Sequence, residues 1–287
     1  PQWAGGRFPL STLLARRVRV RLDESREGEL HDVEMRTMAP LLEVQKRWSV
    51  IPRSDQLLIE QVASRDGHHV FMFPFLGRVV HEGLGALLAY RLQNTLVAPV
   101  TATFTDYGIE LLSTQAFDLD VPGWRRMLSS GHLLDDLLAC MNSGELARRQ
   151  FGEIARIAGL MVPRMPGTPR SNRQLQASAE LYFDVFSEFD PGNLLLHQAK
   201  REVLERQLEI KRLEQSLQEV ETQEVVIAMC ERFTPMAFPI WAQRIQSQTV
   251  RLEGKGERID RVLARLEAEA NKIKATSSPL QTDCSRL

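Results

Sequence analysis

Only three cysteines occur in the 287 residues, Cys140, Cys230 and Cys284, and none belongs to a CxxC pair. Single cysteines this far apart argue against a disulfide framework or a zinc ribbon, and they fit a reducing compartment. Net charge is missing as well: 36 Lys and Arg stand against 37 Asp and Glu, a formal −1. No global field draws the chain to nucleic acid or a membrane, so any such contact has to use a local patch. No run reaches the roughly 18–20 apolar residues that a spanning helix needs, and no membrane partner is expected. No secretory leader is expected either. There is no GxxxxGK[ST], no GxGxxG after a strand and no GxSxG. The chain by itself is therefore not expected to hydrolyse a nucleotide. No catalytic, cofactor-binding or metal-binding residue is assigned.

What is present is enough apolar residue to build a core. At 43% hydrophobic and 25% charged, the composition is that of an ordinary globular protein. The length suits one large domain or two ordinary ones. The chain opens on Pro1 with no methionine, as expected of a piece of a longer polypeptide. We expect a linker over 1–9, one domain over 10–274 and a flexible tail over 275–287.

Along the chain, Ser11 or Thr12 can cap a helix running through Leu13, Leu14 and Val18. A second helix is expected over about 29–46, with Pro40 kinking or splitting it. "DQLLIEQVAS", "RDG" and "HHVFMFPF" read as strand, tight turn and returning strand. "VVHEGLGALLAYRLQN" reads as a helix with Val80, Leu84, Leu87, Leu88 and Leu92 on its apolar face. "APVTATFTDYGIELLS" is β-rich, with "DYG" as a hairpin turn or a bulge. Residues 124–160 look helical with a break near "NSG", and two helices follow, about 173–189 and a long one over 194–222. In the long helix, Ile210, Leu213, Leu217 and Val220 form a seam for another helix. "EVVIAMC" reads as a short strand and "RFTPMAFPI" as an irregular return. A last helix over about 256–274 presents Ile259, Val262, Leu263, Leu266 and Ile273. Strands and helices do not alternate strictly, so the expected class is α+β: an antiparallel sheet with hairpins, wrapped by helices.

Three stretches invite a chemical reading. His81-Glu82 begins like HExxH, but Gly85 stands where the second histidine is needed, so the paired zinc ligands are missing. His68 and His69 are neighbours on a strand and point to opposite faces. The plainer reading is that these two close a hairpin, and that Arg78, His81 and Glu82 bond local backbone at a strand-to-helix junction. "RRVRVR", residues 16–21, spreads four arginines around a helix and is diluted by the acids that follow, so it reads as a solvated helix. Between Glu153 and Glu180 there is no acid, but there are Arg156, Arg164, Arg170 and Arg173, in and around a Pro/Gly-containing loop. That pattern suits a phosphate backbone, the alternative being an ordinary surface loop. Trp3, flanked by small residues, can stack on a base or plug against a neighbouring domain.

Several blocks, in order over about residues 3–245, resemble the Lhr (large helicase-related) family, especially its ligase-associated DEXH-box branch. They are "WAGGRFPLS", "SRDGHHVFMFPFLGRVVHEGLGALLAYRL", "FTDYGIELLS", "EIARIAGLMVPRMPG", "RQLQASAELYFDVFSEFDPGNLLLHQAKREVLERQLE" and "RFTPMAFPI". The resemblance implies the C-terminal region of a helicase core, after two RecA-like domains and a winged-helix domain of the same polypeptide. It implies a parent that uses ATP and Mg in those absent domains and tracks 3′ to 5′ on single-stranded DNA, unwinding DNA or RNA–DNA duplexes in DNA repair. A bacterial cytosolic, nucleoid-associated location goes with it. It also implies that an aromatic near the start of the domain, here Trp3, grips the tracking strand. The expected DNA contacts are then Trp3, Arg7, Arg164, Arg170 and Arg173. One rival is a scaffold with little DNA contact, docking repair proteins or a second copy through the 194–222 helix. Another is a hydrolase using His81 and Glu82.

Overall fold

Alternation along two strands decides the centre of the molecule. In β1 (Gln56–Ser64), Leu57 and Ile59 face one side, and Leu58, Glu60 and Val62 the other. In β2 (Gly67–Met72), Val70 and Met72 join the first set and Phe71 the second. Both faces are apolar and buried, so both must be covered by helices. The computed structural model describes residues 12–140, 144–160, 164–165, 168–169, 172–208, 210–247 and 255–277.

The β1–β2 hairpin turns through Arg65 and Asp66, with Ser64 opposite Gly67. Gly67 has φ +132°, and a Cβ there would run into the Ser113 carbonyl of the next strand. Only glycine lets the strands close at that corner. A second hairpin, β3 (Val100–Phe104) and β4 (Ile109–Ser113), pairs beside β2, so "DYG" belongs to a hairpin loop. The sheet order is β3-β4-β2-β1-β7, with β7 spanning Glu224–Cys230. β7 runs parallel to β1, from Gln56↔Glu224 to Val62↔Cys230. The sheet is therefore mixed and not wholly antiparallel as expected. The parallel pair joins residues far apart in the chain, which local pattern does not reveal.

One face is covered by α3 (Arg78–Leu96), α4 (Val121–Met127), α5 (Leu133–Cys140) and α9 (Ile210–Thr222). α3 buries the five apolar residues its spacing predicts. Each is worth about 1.5–3 kcal/mol when fully buried. The other face is covered by α1 (Thr12–Arg26), α2 (Val33–Trp48) and α10 (Phe238–Ser247), with α11 (Lys255–Ser277) beside α2 and α10. A smaller satellite cluster joins α6 (Gly144–Ile157), α7 (Asn172–Phe189) and α8 (Leu194–Leu208).

Three expectations change in detail, at α2, α10 and α11. α2 runs through Pro40 as one helix. The segment expected as one helix over 194–222 is helical on both sides of Glu209, as α8 and α9, and Glu209 lies outside the described residues. α8 serves the satellite cluster through Leu196 and Ala199, while α9 buries its whole seam in the main core. α10 was unexpected, because Pro235 and Pro239 look like breakers. Pro239 is its second residue, where a missing N–H removes no helical bond, and Thr234 Oγ1 accepts the Ala237 N–H at 3.1 Å. In α11, Leu263 is exposed and the helix continues to Ser277, into the segment expected to be tail.

Candidate nucleic-acid interface

The two histidines of the first hairpin do point to opposite faces. His68 is half-buried, whereas His69 is buried on the α10 side of the sheet. His69 Nδ1 lies 2.8 Å from Glu110 Oε1, and its Nε2 lies 2.6 Å from Ser64 Oγ. Arg244 of α10 donates through Nε to the same Glu110 oxygen at 3.0 Å and through Nη2 to Asp66 at 3.0 Å. Arg258 of α11 adds a second bond to Asp66 at 2.9 Å. Burial alone would raise the Asp66 carboxyl, but the hydrogen bonds from Arg258 and Arg244 outweigh it and hold it below its usual value. Serine, histidine and glutamate here have the connectivity of a nucleophile–base–orienter relay. Ser64 Oγ, however, also accepts the Asp66 N–H at 3.0 Å and so closes the turn. Glu110, for its part, is shared with a buried arginine. The network clamps the hairpin to α10 and α11. Glu60, two strands away on the same face, is buried between Gln45 and Thr234, and burial pushes its carboxyl up.

His81 is also structural. Its Nε2 accepts the Leu76 N–H at 3.0 Å, so Nδ1 carries the proton and donates to the Thr105 carbonyl at 2.7 Å. Both ring nitrogens are taken by backbone, and burial lowers its pKa to about 4. Glu82 beside it is exposed. Among the described residues no group of His, Cys, Asp and Glu could hold a metal ion. The hydrolase reading finds no geometry at His81 and Glu82.

The arginines of "RRVRVR" are mostly engaged. Arg16 pairs with Glu219 at 2.5 Å, and Arg21 pairs with Glu24 at 2.8 Å and Asp32 at 2.9 Å. Arg19 is buried and donates to the Gln56 carbonyl, and burial lowers its pKa against the pull of Asp23, Asp55 and Glu219. This helix ties itself to α9 and does not present a cationic stripe.

Of the expected DNA contacts, Trp3, Arg7 and Arg170 lie outside the described residues. Arg164 sits on β5 (Arg164–Met165), which pairs antiparallel with β6 (Thr168–Pro169) so that Arg164 faces Pro169. Arg173 is the second residue of α7. The side chains of Arg164 and Arg173 are outside the described set. The backbone brings the acid-free segment into a short hairpin leading into a helix. The sequence reading missed one further arrangement. Arg232 lies 5.0 Å over the Trp48 ring, in a cleft of about 180 Å³ also lined by Phe233, Leu266, Arg265 and Glu231. A separation of 184 positions hid that pair. Glu231, exposed in the lining and 3.3 Å from Arg232, keeps the cleft from being an unbroken cationic track.

The family described as "DEAD/H associated" matches residues 51–237, from the start of the sheet to the cap of α10. The chain belongs to that family. It is also 24% identical over 231 residues to the "ATP-dependent helicase Lhr-Core protein 2" of Thermococcus barophilus, covering 80% of this chain and 27% of that protein. It is 22% identical over 181 residues to the "ATP-dependent helicase Lhr-Core" of Saccharolobus solfataricus, covering 62% and 20%. The structure of Mycobacterium smegmatis helicase Lhr bound to ssDNA and AMP-PNP aligns with a TM-score of 0.49 at 19% identity, over 83% of this chain and 32% of that one. The Lhr resemblance read from the sequence blocks is borne out. This DEAD/H-associated chain spans between a fifth and a third of the proteins it matches. Among its described residues, no helix is long and apolar enough to cross a membrane.

Proposed function

We propose that this chain is an accessory region of an ATP-dependent 3′–5′ DNA repair helicase, where it lines the single-strand channel and couples the motor to unwinding. ATP and Mg act in the RecA-like domains of the same polypeptide. The observation that carries the reading is the DEAD/H-associated match across the whole central sheet, together with relatives named as ATP-dependent helicases. Trp3 stacks on a base of the tracking strand, and Arg7, Arg164, Arg170 and Arg173 contact its phosphates.

In the intact helicase, Trp3→Ala is expected to lower duplex unwinding by at least about fivefold, since a base–aromatic stack is worth about 1–3 kcal/mol. DNA-stimulated ATP hydrolysis should stay within a few-fold of the parent. Normal unwinding by this variant would remove Trp3 from the assignment.

The arginines make a separate prediction. Each one that neutralises a single-strand phosphate adds about 0.7 to the slope of log affinity against log salt. Replacing Arg164, Arg170 and Arg173 together by alanine should therefore flatten that slope by about 2 and weaken single-strand binding at low salt. An unchanged slope places the phosphate contacts elsewhere.

A further inference from the structure

The seam of α9 is buried in the core, so it offers nothing to a partner. α7 is different. Its inner edge, Ala179 and Phe183 with half-buried Phe186, packs on Phe151 of α6 at ring distances of 5.7 and 5.9 Å. With that edge satisfied, the helix still carries four large apolar side chains outside: Leu181 (63% exposed), Tyr182 (37%), Val185 (40%) and Phe189 (75%). Leu181, Val185 and Phe189 step by four and form one ridge. Glu180, Asp184 and Glu188 step by four as well, one position earlier, and form an acidic row along the side of that ridge. No described residue covers the apolar ridge. A contiguous apolar stripe bordered by one sign of charge is the pattern of an interface and not of a solvated helix.

The acidic row selects the occupant. It repels phosphates, so the face does not suit nucleic acid or an anionic membrane surface. A second copy laid antiparallel on the same face would set one acidic row against the other. A helix with apolar anchors at i, i+4 and i+8 and a row of Lys or Arg beside them satisfies both stripes at once. We infer that the outer face of α7 is a docking surface for a basic amphipathic helix of a protein partner. This surface is independent of the nucleic-acid contacts proposed above.

Two labelled synthetic helical peptides test it against the full chain. Both carry leucines every fourth residue; one has a lysine row beside them and the other a glutamate row. In fluorescence anisotropy, the lysine peptide should bind saturably and the glutamate peptide should not. Leu181→Asp with Val185→Asp should weaken binding by at least about tenfold, as loss of central anchors does. These positions are exposed, so a helical circular-dichroism spectrum equal to the parent's is expected. Glu180→Lys, Asp184→Lys and Glu188→Lys together should reverse the preference to the glutamate peptide. Equal binding of both peptides, or binding of neither, overturns the inference. So does a chain that sediments as a dimer and becomes monomeric in the Leu181/Val185 variant, since a second copy then covers the face. Loss of oligothymidine binding in that variant overturns it in favour of nucleic acid.

Discussion

Arg244→Ala is expected to lower the unfolding free energy by about 3–5 kcal/mol, the usual consequence of stripping one partner from a buried ion pair. Glu110 is fully buried, and its Oε1 is held by Arg244 and His69. Its Oε2 has no hydrogen-bond partner among the described residues, so little else compensates the charge once the guanidinium is gone. Asp66 loses one of its two arginines in the same step and keeps Arg258. Trp241, buried three residues before Arg244, reports the transition in a urea titration followed by tryptophan emission. The arrangement makes a second, opposite claim. Pairing Arg244→Met with Glu110→Gln removes both charges and should recover at least half of the loss, because the penalty lies in the orphaned carboxylate and not in a missing attraction. A loss below about 1 kcal/mol for Arg244→Ala, or no recovery in the double variant, would mean that the network does not clamp the hairpin to α10.

That network also shows where sequence reading runs out. The strand-turn-strand of β1 and β2 and the apolar face of α3 were legible because their signals are local: alternation, Arg-Asp-Gly, and spacing by three and four. His68 and His69 could be assigned to opposite faces for the same reason. Nothing local says that Glu110, Arg244 and Asp66 meet, since the three lie on β4, α10 and a turn. The mixed character of the sheet was hidden likewise, since β7 reaches β1 only after the helices α3 to α9. α10 escaped because "RFTPMAFPI" carries two prolines and reads as an irregular return, although Pro239 occupies the first turn of the helix. The candidate DNA contacts were read from the absence of acid and from the resemblance, and the structure adds only that Arg164 starts a short hairpin and Arg173 lies in the first turn of α7. The α7 ridge was quotable in the sequence, but "ELYFDVFSEF" cannot by itself tell an inner edge from an outer one. That needed Phe151 to be placed against Phe183 and Phe186.

Acid should loosen the fold through His81, and the direction follows from its hydrogen bonds. The folded-state pKa is lowered to about 4 from 6.5 because burial disfavours the cation, outweighing the Thr105 carbonyl and Asp106, which favour it. A depressed folded pKa means that the neutral ring stabilises the fold fully above about pH 6.5, and that this contribution is lost as pH falls toward 4. At about 1.4 kcal/mol per pKa unit, the loss from this ring is about 3 kcal/mol by pH 4. The mechanism is specific. A protonated Nε2 can no longer accept the Leu76 N–H, and Leu76 sits between two residues with positive φ, Phe75 at +54° and Gly77 at +87°. The Leu76 carbonyl in turn accepts from Thr12 Oγ1 at 2.9 Å, so the same junction holds the first described turn of α1, just after the segment that carries Trp3 and Arg7. His81→Gln keeps an acceptor for the Leu76 N–H but cannot titrate. It should be about 1–3 kcal/mol less stable at pH 7.5, with the Thr105 carbonyl short of its donor. Between pH 6.5 and 4 its stability should fall less steeply than the parent's, by up to one proton bound on unfolding. Urea titrations of both proteins at half-unit steps measure the two slopes. Parallel slopes would show that His81 is not the group through which acid acts in this range, since a carboxylate held low by arginine, such as Asp66, loses its contribution only below its ordinary value of 3.8.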